Sequence, residues 1–233
     1  MPRRAPDTHA TTPQHRGRHP GWDVLDQADQ WDDVTAGVVL ARLTLPDPLV
    51  FFTPEEVAVA RPLLDLLLGQ DAEPRVPVLP LIDHRLALGQ TDGWHHDDLP
   101  EDAQAWRESL HHLDADARDR AGSPFAELPA PGQAALVQHV QDLAAAGDAW
   151  HGAQAVHTWS LWTRYACTAF YSHPWAWNEI GFGGPAYPRG YLNLGLDARE
   201  RWEQPDPTDS AAFAARVASA RRGHDWMRGG GRA

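Results

Sequence analysis

The residues best suited to chemistry in this sequence are histidines and carboxylates near the middle of the chain. Four polar residues, His95 to Asp98, precede a second histidine pair, His111 and His112. Neighbouring histidines on a helix point about 100° apart and rarely bind one metal ion together. The sequence has no HExxH motif and no local spacing of two histidines with one carboxylate. We therefore predict solvated polar segments here, and no metal site in this chain.

Other acidic and histidine side chains lack the partners that catalysis requires. The carboxylates of residues 92–119 are mixed with arginines, which is typical of a solvated face. His157 has no Ser, Cys or Asp at a spacing suited to nucleophilic catalysis, so we interpret it as a core or interface histidine. We predict no catalytic residue in this chain. The alternative is a free-standing enzyme that uses His157, His173 or Asn178.

The glycines of the stretch GFGGP, residues 181–185, do not form a phosphate-binding loop. No strand precedes them, and a proline rather than a helix cap follows. The single cysteine, Cys167, excludes an internal disulfide framework, and the absence of CxxCH excludes covalent haem attachment. We therefore predict that this chain carries no cofactor of its own.

Composition and charge narrow the function further. The 233 residues carry a net charge of −12, and such an acidic balance argues against nucleic-acid binding. Eleven tryptophans indicate a large aromatic core or a broad contact surface. No run of 18 apolar residues occurs, and no apolar run follows Arg3 and Arg4 as a signal peptide requires. We expect no membrane insertion and a cytoplasmic location, unless a signal-bearing partner exports the chain.

Helical patterns dominate the elements that must position these residues. Thr53 and Glu56 predict a capping box, Pro54 fits the first helical position, and Gly69 is the predicted helix stop. Further helices are predicted at about 81–88 and 100–121, from about residue 128, and over 152–172. No convincing run of alternating strands occurs. The predicted fold class is all-α.

The chain divides into four predicted parts. Residues 1–21 are polar and are predicted to be a disordered tail. Residues 22–50 form an arm with one helix, which docks through its aromatic side chains. Residues 51–204 form an irregular helical domain, and residues 205–233 form a polar tail.

The stretch from Tyr171 to Tyr191 is the most unusual part of the chain. It is rich in glycine, proline and aromatic residues, and its only charged residues are Glu179 and Arg189. We predict a long irregular loop after the last core helix, and a loop this apolar must press against another surface. A polar group such as Asn178 in such a loop usually orients a bound molecule or forms hydrogen bonds with backbone groups.

Residues 170–191, FYSHPWAWNEIGFGGPAYPRGY, closely resemble the signature of the gluconate 2-dehydrogenase subunit 3 family. Three other stretches agree with the family in order: FFTPEEVAVARPLLDLLL, IDHRLALG and SPFAELPAPGQAALVQHV. The arm GWDVLDQADQWDDVTAGVVLARL resembles that of actinobacterial members. The resemblance covers roughly residues 20–204.

This resemblance implies a small accessory subunit of flavin-dependent sugar and polyol dehydrogenases. The expected partner is a larger chain of the glucose–methanol–choline (GMC) oxidoreductase type, which carries FAD and the catalytic histidine and acts on a sugar, sugar acid or glycoside. The small subunit is expected to help that chain fold and stay assembled. Many members also support twin-arginine export, whereas no signal peptide is predicted in this sequence. A chaperone that dissociates afterwards, and a subunit that lends loop residues to a shared active site, are the alternatives.

The resemblance also implies that the apolar loop contacts the large subunit. Its aromatic side chains are the expected anchors, its glycines permit turns, and His173 and Asn178 pin the loop or reach toward the partner's substrate entrance. The predicted partner-interface residues are Trp22, Trp31, Tyr171, His173, Trp175, Trp177, Asn178, Gly181, Phe182, Gly183, Gly184, Pro185, Tyr187 and Pro188.

Overall fold

The structure is a computed structural model that describes residues 10–19, 21–44, 48–191, 200 and 202–204. Within these residues it is helical with one small hairpin, so the predicted all-α class is confirmed. The helices are α1 (Asp33–Ala41), α2 (Pro54–Leu68), α3 (Val78–Ala87), α4 (Asp102–Ala121), α5 (Ala130–Ala146), α6 (Ala155–Ser172) and α7 (Pro174–Ile180). The antiparallel hairpin pairs β1 (Ala149–Trp150) with β2 (Ala153–Gln154). Short 3-10 turns lie at Pro13–His15, Val24–Gln30 and Phe125–Glu127.

Helix α6 is the centre of the main hydrophobic core. It contacts α2, α3, α4, α5 and α7. Its large side chains Trp162 and Tyr165 are fully buried, together with Trp106 of α4. The indole nitrogen of Trp162 donates to the hydroxyl oxygen of Ser109 at 2.9 Å, so this buried polar group keeps a partner. Bulky side chains of α6 recur at three and four residues along one face, and Leu161 on another face is also buried, so α6 is covered on several sides.

The start of α2 follows its local sequence. The Thr53 hydroxyl accepts a hydrogen bond from the Glu56 backbone, and the Glu56 carboxylate accepts one from the Thr53 backbone, which confirms the capping box. Gly69 ends the helix in the left-handed conformation, with φ of 63°. The buried carboxylate of Asp83 in α3 accepts hydrogen bonds from the backbone N–H groups of residues 50–52. These bonds hold the segment that precedes α2 against α3.

The segment predicted as one irregular loop from Tyr171 is partly helical. Helix α6 runs on through Ser172, and α7 begins directly at Pro174. Pro174 occupies the first helical position, where its missing N–H costs nothing, and His173 caps the helix. Gly181 then ends α7 with φ of 72°. The irregular description therefore applies only from about residue 182 onward.

Residues 10–19, which the sequence placed in a disordered tail, lie against the helical domain. Ala10 and Thr12 are buried. The backbone N–H of Gln14 donates to the carbonyl of Pro74 at 2.7 Å, and Arg18 donates in the same way to Glu179 at 3.2 Å. Long-range backbone pairing of this kind leaves no trace in local composition. The predicted tail of residues 205–233 lies outside the described residues, as do residues 1–9.

Candidate functional site

The N-terminal arm packs on α7 of its own chain. Val24, Trp31, Val39 and Trp177 form a second hydrophobic cluster, separate from the main core. Trp31 is 7% exposed and Trp177 is 6% exposed. The apolar stretch after α6 is thus covered in part by residues 24–39 of its own chain.

Asn178 is the polar centre of this contact. Its side-chain oxygen accepts a hydrogen bond from the backbone N–H of Val24 at 2.7 Å. Its amide nitrogen donates to the carbonyl of Thr11 at 3.0 Å and to the carboxylate of Asp23 at 3.2 Å. The side chain is 1% exposed, so its polar atoms serve the arm and the N-terminal segment.

His173 plays a local structural role. It is 2% exposed, and its Nδ1 accepts a hydrogen bond from the backbone N–H of Trp175 at 3.2 Å. Burial lowers the pKa of His173 to about 4, and the positive charge of Arg42 adds to the effect. The neutral imidazole, with an unprotonated Nδ1, is the form that can cap α7.

Trp177 connects the elements around it. Its indole nitrogen donates to the carbonyl of Tyr171 at 2.6 Å, and the ring of Phe182 meets it edge-on with centroids 5.4 Å apart. The Arg42 guanidinium lies 5.5 Å from the centroid of the indole. The Trp177 side chain of α7 therefore contacts both α6, through Tyr171, and the residue that follows α1, Arg42.

The glycines allow close approach within the chain. A Cβ on Gly184 would lie 2.6 Å from Cζ2 of Trp31 and 3.0 Å from Cγ2 of Val24, and its φ is +76°. A Cβ on Gly183 would lie 2.8 Å from Cδ1 of Trp202. Glycine at 184 is thus needed both for the backbone conformation and for the packing of the arm.

The predicted interface residues divide into covered and exposed groups. Trp31, His173, Trp177, Asn178, Gly183 and Gly184 are buried inside this chain. Trp22, Trp175, Gly181 and Pro185 are half-buried, and Tyr171, Phe182, Tyr187 and Pro188 are exposed. Contact with a partner remains a prediction for all of them. The exposed group offers the most accessible large side chains to a second protein.

Exposed apolar side chains are concentrated in α1 and in residues 171–191. Of the 12 large hydrophobic residues exposed in the described part of the chain, eight lie in α1 or in residues 171–191. These eight, which we call the arm–α7 surface, are Val34, Val38, Leu40, Tyr171, Ile180, Phe182, Tyr187 and Tyr191. Val34 is 74% exposed and Tyr187 is 66% exposed. Contiguous exposed apolar patches mark interaction sites in soluble proteins, so these two segments are candidates for such a site.

The histidines singled out in the sequence form two stacked pairs. The rings of His96 and His157 are 3.8 Å apart, and Nδ1 of His157 lies 2.6 Å from an oxygen of Asp98. Asp98 also accepts a hydrogen bond from the backbone of Gln154, which ties down one end of the hairpin. In the described residues, no group of three or more His, Cys, Asp or Glu is arranged to hold a metal ion.

The second stacked pair lies at the other end of the hairpin. The rings of His112 and His151 are 4.2 Å apart, and Nε2 of His151 lies 2.8 Å from an oxygen of Asp116. Asp116 also accepts from the indole nitrogen of Trp150 at 2.9 Å. Sequence reasoning missed both pairs, because the partners come from distant parts of the chain and no local spacing signals them.

Comparison with known proteins identifies the family. A family model described as gluconate 2-dehydrogenase subunit 3 matches residues 54–184, which is more than half of the chain. The chain belongs to this family. Membership implies a subunit of a multi-subunit dehydrogenase complex. No curated protein and no solved structure matches the chain.

The family match includes α7 but not the arm that covers it. It ends at residue 184, within the segment that carries Trp177 and Phe182, and it begins after α1. None of the helices in the described residues is long and apolar enough to cross a membrane.

Proposed function

We propose that this gluconate 2-dehydrogenase subunit 3 chain is a non-catalytic small subunit of a sugar-oxidising complex. It binds, stabilises and assists the folding of a larger FAD-dependent oxidoreductase of the GMC type. The substrate class is a sugar, a sugar acid or a glycoside, and the FAD belongs to the partner. Family membership supports the role of a dehydrogenase subunit.

The observation that carries the proposal is the arm–α7 surface. Eight of the 12 exposed large hydrophobic side chains in the described residues belong to α1 and to residues 171–191, which share a buried cluster through Val39 and Trp177. Apolar side chains concentrated in this way favour a stable protein partner over free solvent. The exposed aromatic rings also offer large contact area at a low entropic cost.

The buried residues of the site prepare this surface. Asn178 holds the arm against α7, His173 caps α7, and Gly184 permits the arm to approach. A rigid, preformed surface binds more tightly than one that must order itself on contact. His173 and Asn178 are engaged with backbone groups, which supports a structural role for them and chemistry in the partner.

Co-purification tests the proposal. The chain is co-expressed with a candidate GMC-type flavoprotein from the same genome, with an affinity tag on either chain in turn. We expect a one-to-one complex that contains bound flavin and oxidises a sugar or sugar acid with a dye as acceptor. The flavoprotein expressed without this chain should be recovered in lower amount and with less flavin.

Two results would replace this proposal by its alternatives. Flavoprotein that keeps its flavin and activity after this chain dissociates would indicate a chaperone. A complex that assembles fully but loses turnover per flavin on His173→Ala would indicate a shared active site. Sugar oxidation by this chain alone would contradict all three. Fractionation of cells that express both chains tests the predicted cytoplasmic location.

A further inference from the structure

A cleft beside the arm–α7 surface has no assigned role. It has a volume of about 640 Å³ and lies between the end of α1, α3 and α6. Leu81, Ile82 and Ala169 supply apolar walls, and Arg42, Arg85 and Thr168 supply polar groups. Small-molecule sites have volumes of this order and combine apolar walls with a few polar groups.

Arg42 has fewer hydrogen-bond partners among the described residues than the other charged side chains of this cleft. Its Nη1 donates to the carbonyl of Ser172 at 2.8 Å, and its guanidinium lies over Trp177. Among the described residues, its Nε and Nη2 have no hydrogen-bond acceptor and no carboxylate pairs with it. Half-burial lowers the pKa of Arg42, because desolvation disfavours the charged form. The guanidinium nevertheless stays charged at neutral pH and presents one free edge with two donors.

The other charges in the cleft are already matched. Arg85 pairs with Asp92 and donates from Nε to the carbonyl of Gln90 at 3.2 Å. Asp92 is shared with Arg164, which also contacts the buried carboxylate of Asp102. Two arginines and one carboxylate line the cleft, so it is locally positive in a chain whose net charge is −12.

We propose that this cleft binds a carboxylate, which pairs with the free edge of Arg42 while the rest of the ligand lies against Leu81 and Ile82. A single unpaired guanidinium matches the one charge and the planar, two-oxygen geometry of a carboxylate. A phosphate dianion would need a second free cation, and Arg85 is not free. The carboxylate comes from a small organic acid, or from an acidic side chain of the docked partner. The second source rests on the proposed function; the first does not.

The position of the cleft places it within reach of a docked partner's acidic side chain. Arg42 lies over the ring of Trp177, the side chain that also contacts Phe182 of the arm–α7 surface. Ser172, which binds the guanidinium, follows the exposed Tyr171. A partner seated on the arm–α7 surface would therefore lie next to the cleft.

Benzoate and benzamide are the probes for direct binding, because they have the same shape and differ in charge. Saturation-transfer NMR on the full-length chain should show a benzoate signal at least fivefold stronger than that of benzamide. Arg42→Gln should reduce the benzoate signal at least fivefold. Arg120→Gln removes an equal charge from an exposed site at the end of α4 and should leave the signal unchanged.

A second variant, Thr168→Glu, tests the proposal even if Arg42→Gln fails to fold. Thr168 is exposed on α6 and lines the cleft, so Thr168→Glu places a carboxylate there without removing Arg42. It should abolish benzoate binding and keep the melting temperature. Asp47 lies outside the described residues, five positions from Arg42. Benzoate binding that appears only after Asp47→Asn would show that this chain's own carboxylate fills the site, and would overturn the proposal.

The complex distinguishes the two sources. A partner carboxylate predicts that benzoate fails to bind the co-purified complex and that Arg42→Gln lowers complex recovery at least fivefold, unlike Arg120→Gln. A small organic acid predicts that benzoate binds the complex and that Arg42→Gln assembles normally. Equal signals for benzoate and benzamide, with normal assembly of Arg42→Gln, would sink the proposal. Failure of the wild-type chain to form any complex would instead count against the proposed function alone.

Discussion

The side-chain oxygen of Asn178 lies 2.7 Å from the backbone nitrogen of Val24 and accepts its hydrogen bond, although 154 residues separate the two. Val24 is fully buried beside Trp177, so this bond lies within an apolar cluster. Hydrogen bonds in such surroundings are costly to leave unmade. The bond holds the N-terminal arm on α7, where Val24 and Trp31 cover Trp177.

Replacing Asn178 should release the arm. Asn178→Ala leaves the N–H of Val24 and the carbonyl of Thr11 without their partner, and we expect a loss of about 2–4 kcal/mol in the free energy of unfolding. Urea denaturation measures the loss, and limited proteolysis at the arm should become faster. Gln138→Ala, which removes an exposed amide on α5, is the control. A loss below about 0.5 kcal/mol, which is the usual range for a surface site, would show that Asn178 does not hold the arm.

Substitutions of Gly184 and Gly190 can distinguish the cost of backbone strain from the cost of a steric clash. Both have positive φ, +76° and +71°, but a Cβ on Gly190 would meet nothing within 4 Å, whereas one on Gly184 would collide with Trp31. We expect Gly184→Ala to cost about 1–3 kcal/mol more than Gly190→Ala, since overpacking adds to the conformational strain. Denaturation curves of the two variants test this. Equal losses would mean that the arm adjusts freely.

Acidification should destabilise the chain through His173. Its pKa is lowered to about 4 in the folded state, against about 6.5 when unfolded, so only the unfolded state binds a proton between these values. Stability is therefore complete above about pH 6.5 and falls as the pH drops toward 4, by at most about 3 kcal/mol from this group. His173→Asn keeps an acceptor for the N–H of Trp175 and should flatten this part of the profile.

Urea denaturation at pH 7, 6, 5 and 4 measures the profile. His111→Asn, which replaces an exposed histidine on α4, controls for the loss of an imidazole. An unchanged slope in His173→Asn would refute the assignment of this pH dependence to His173.

Exposed and buried aromatic residues should affect different quantities. Phe182→Ala and Tyr187→Ala remove exposed rings of the arm–α7 surface, and together they should weaken association with the flavoprotein by about 2–4 kcal/mol. The melting temperature of the isolated chain should fall much less than in Trp177→Ala, since Phe182 loses only its edge-on contact with Trp177. Leu88→Ala, at an exposed apolar site of 58% exposure after α3, is the control. Turnover per bound flavin should stay at the wild-type value, because the proposed chemistry belongs to the partner.

Trp177→Ala should act differently. It removes a side chain from the cluster that seats the arm, so we expect a loss of about 3–5 kcal/mol in folding stability as well as weaker assembly. Denaturation of the isolated chain separates the two effects. Wild-type stability combined with lost assembly would show that Trp177 contacts the partner directly, as the family resemblance implies.

The short-range features of the fold could be predicted because their causes are local. The capping box joins Thr53 and Glu56, three residues apart, and Gly69 supplies a backbone conformation that other residues avoid. Helix α7 was missed although its signals are also local. Pro174 and the capping His173 mark its start, but the aromatic and glycine-rich composition around them indicated a loop.

The sequence by itself determined most of the core helices, the capped start and the glycine end of α2, the all-α class and the family. These depend on interactions within about four residues and on a motif that can be compared directly. It also indicated that the aromatic residues of the arm and of residues 171–191 needed cover. What covers them was decided by the tertiary structure. Trp177 and Phe182 are five residues apart and equally apolar, yet only Trp177 meets Val24 and Trp31 and is buried. Burial depends on residues brought together from distant parts of the chain, and no local pattern contains that information.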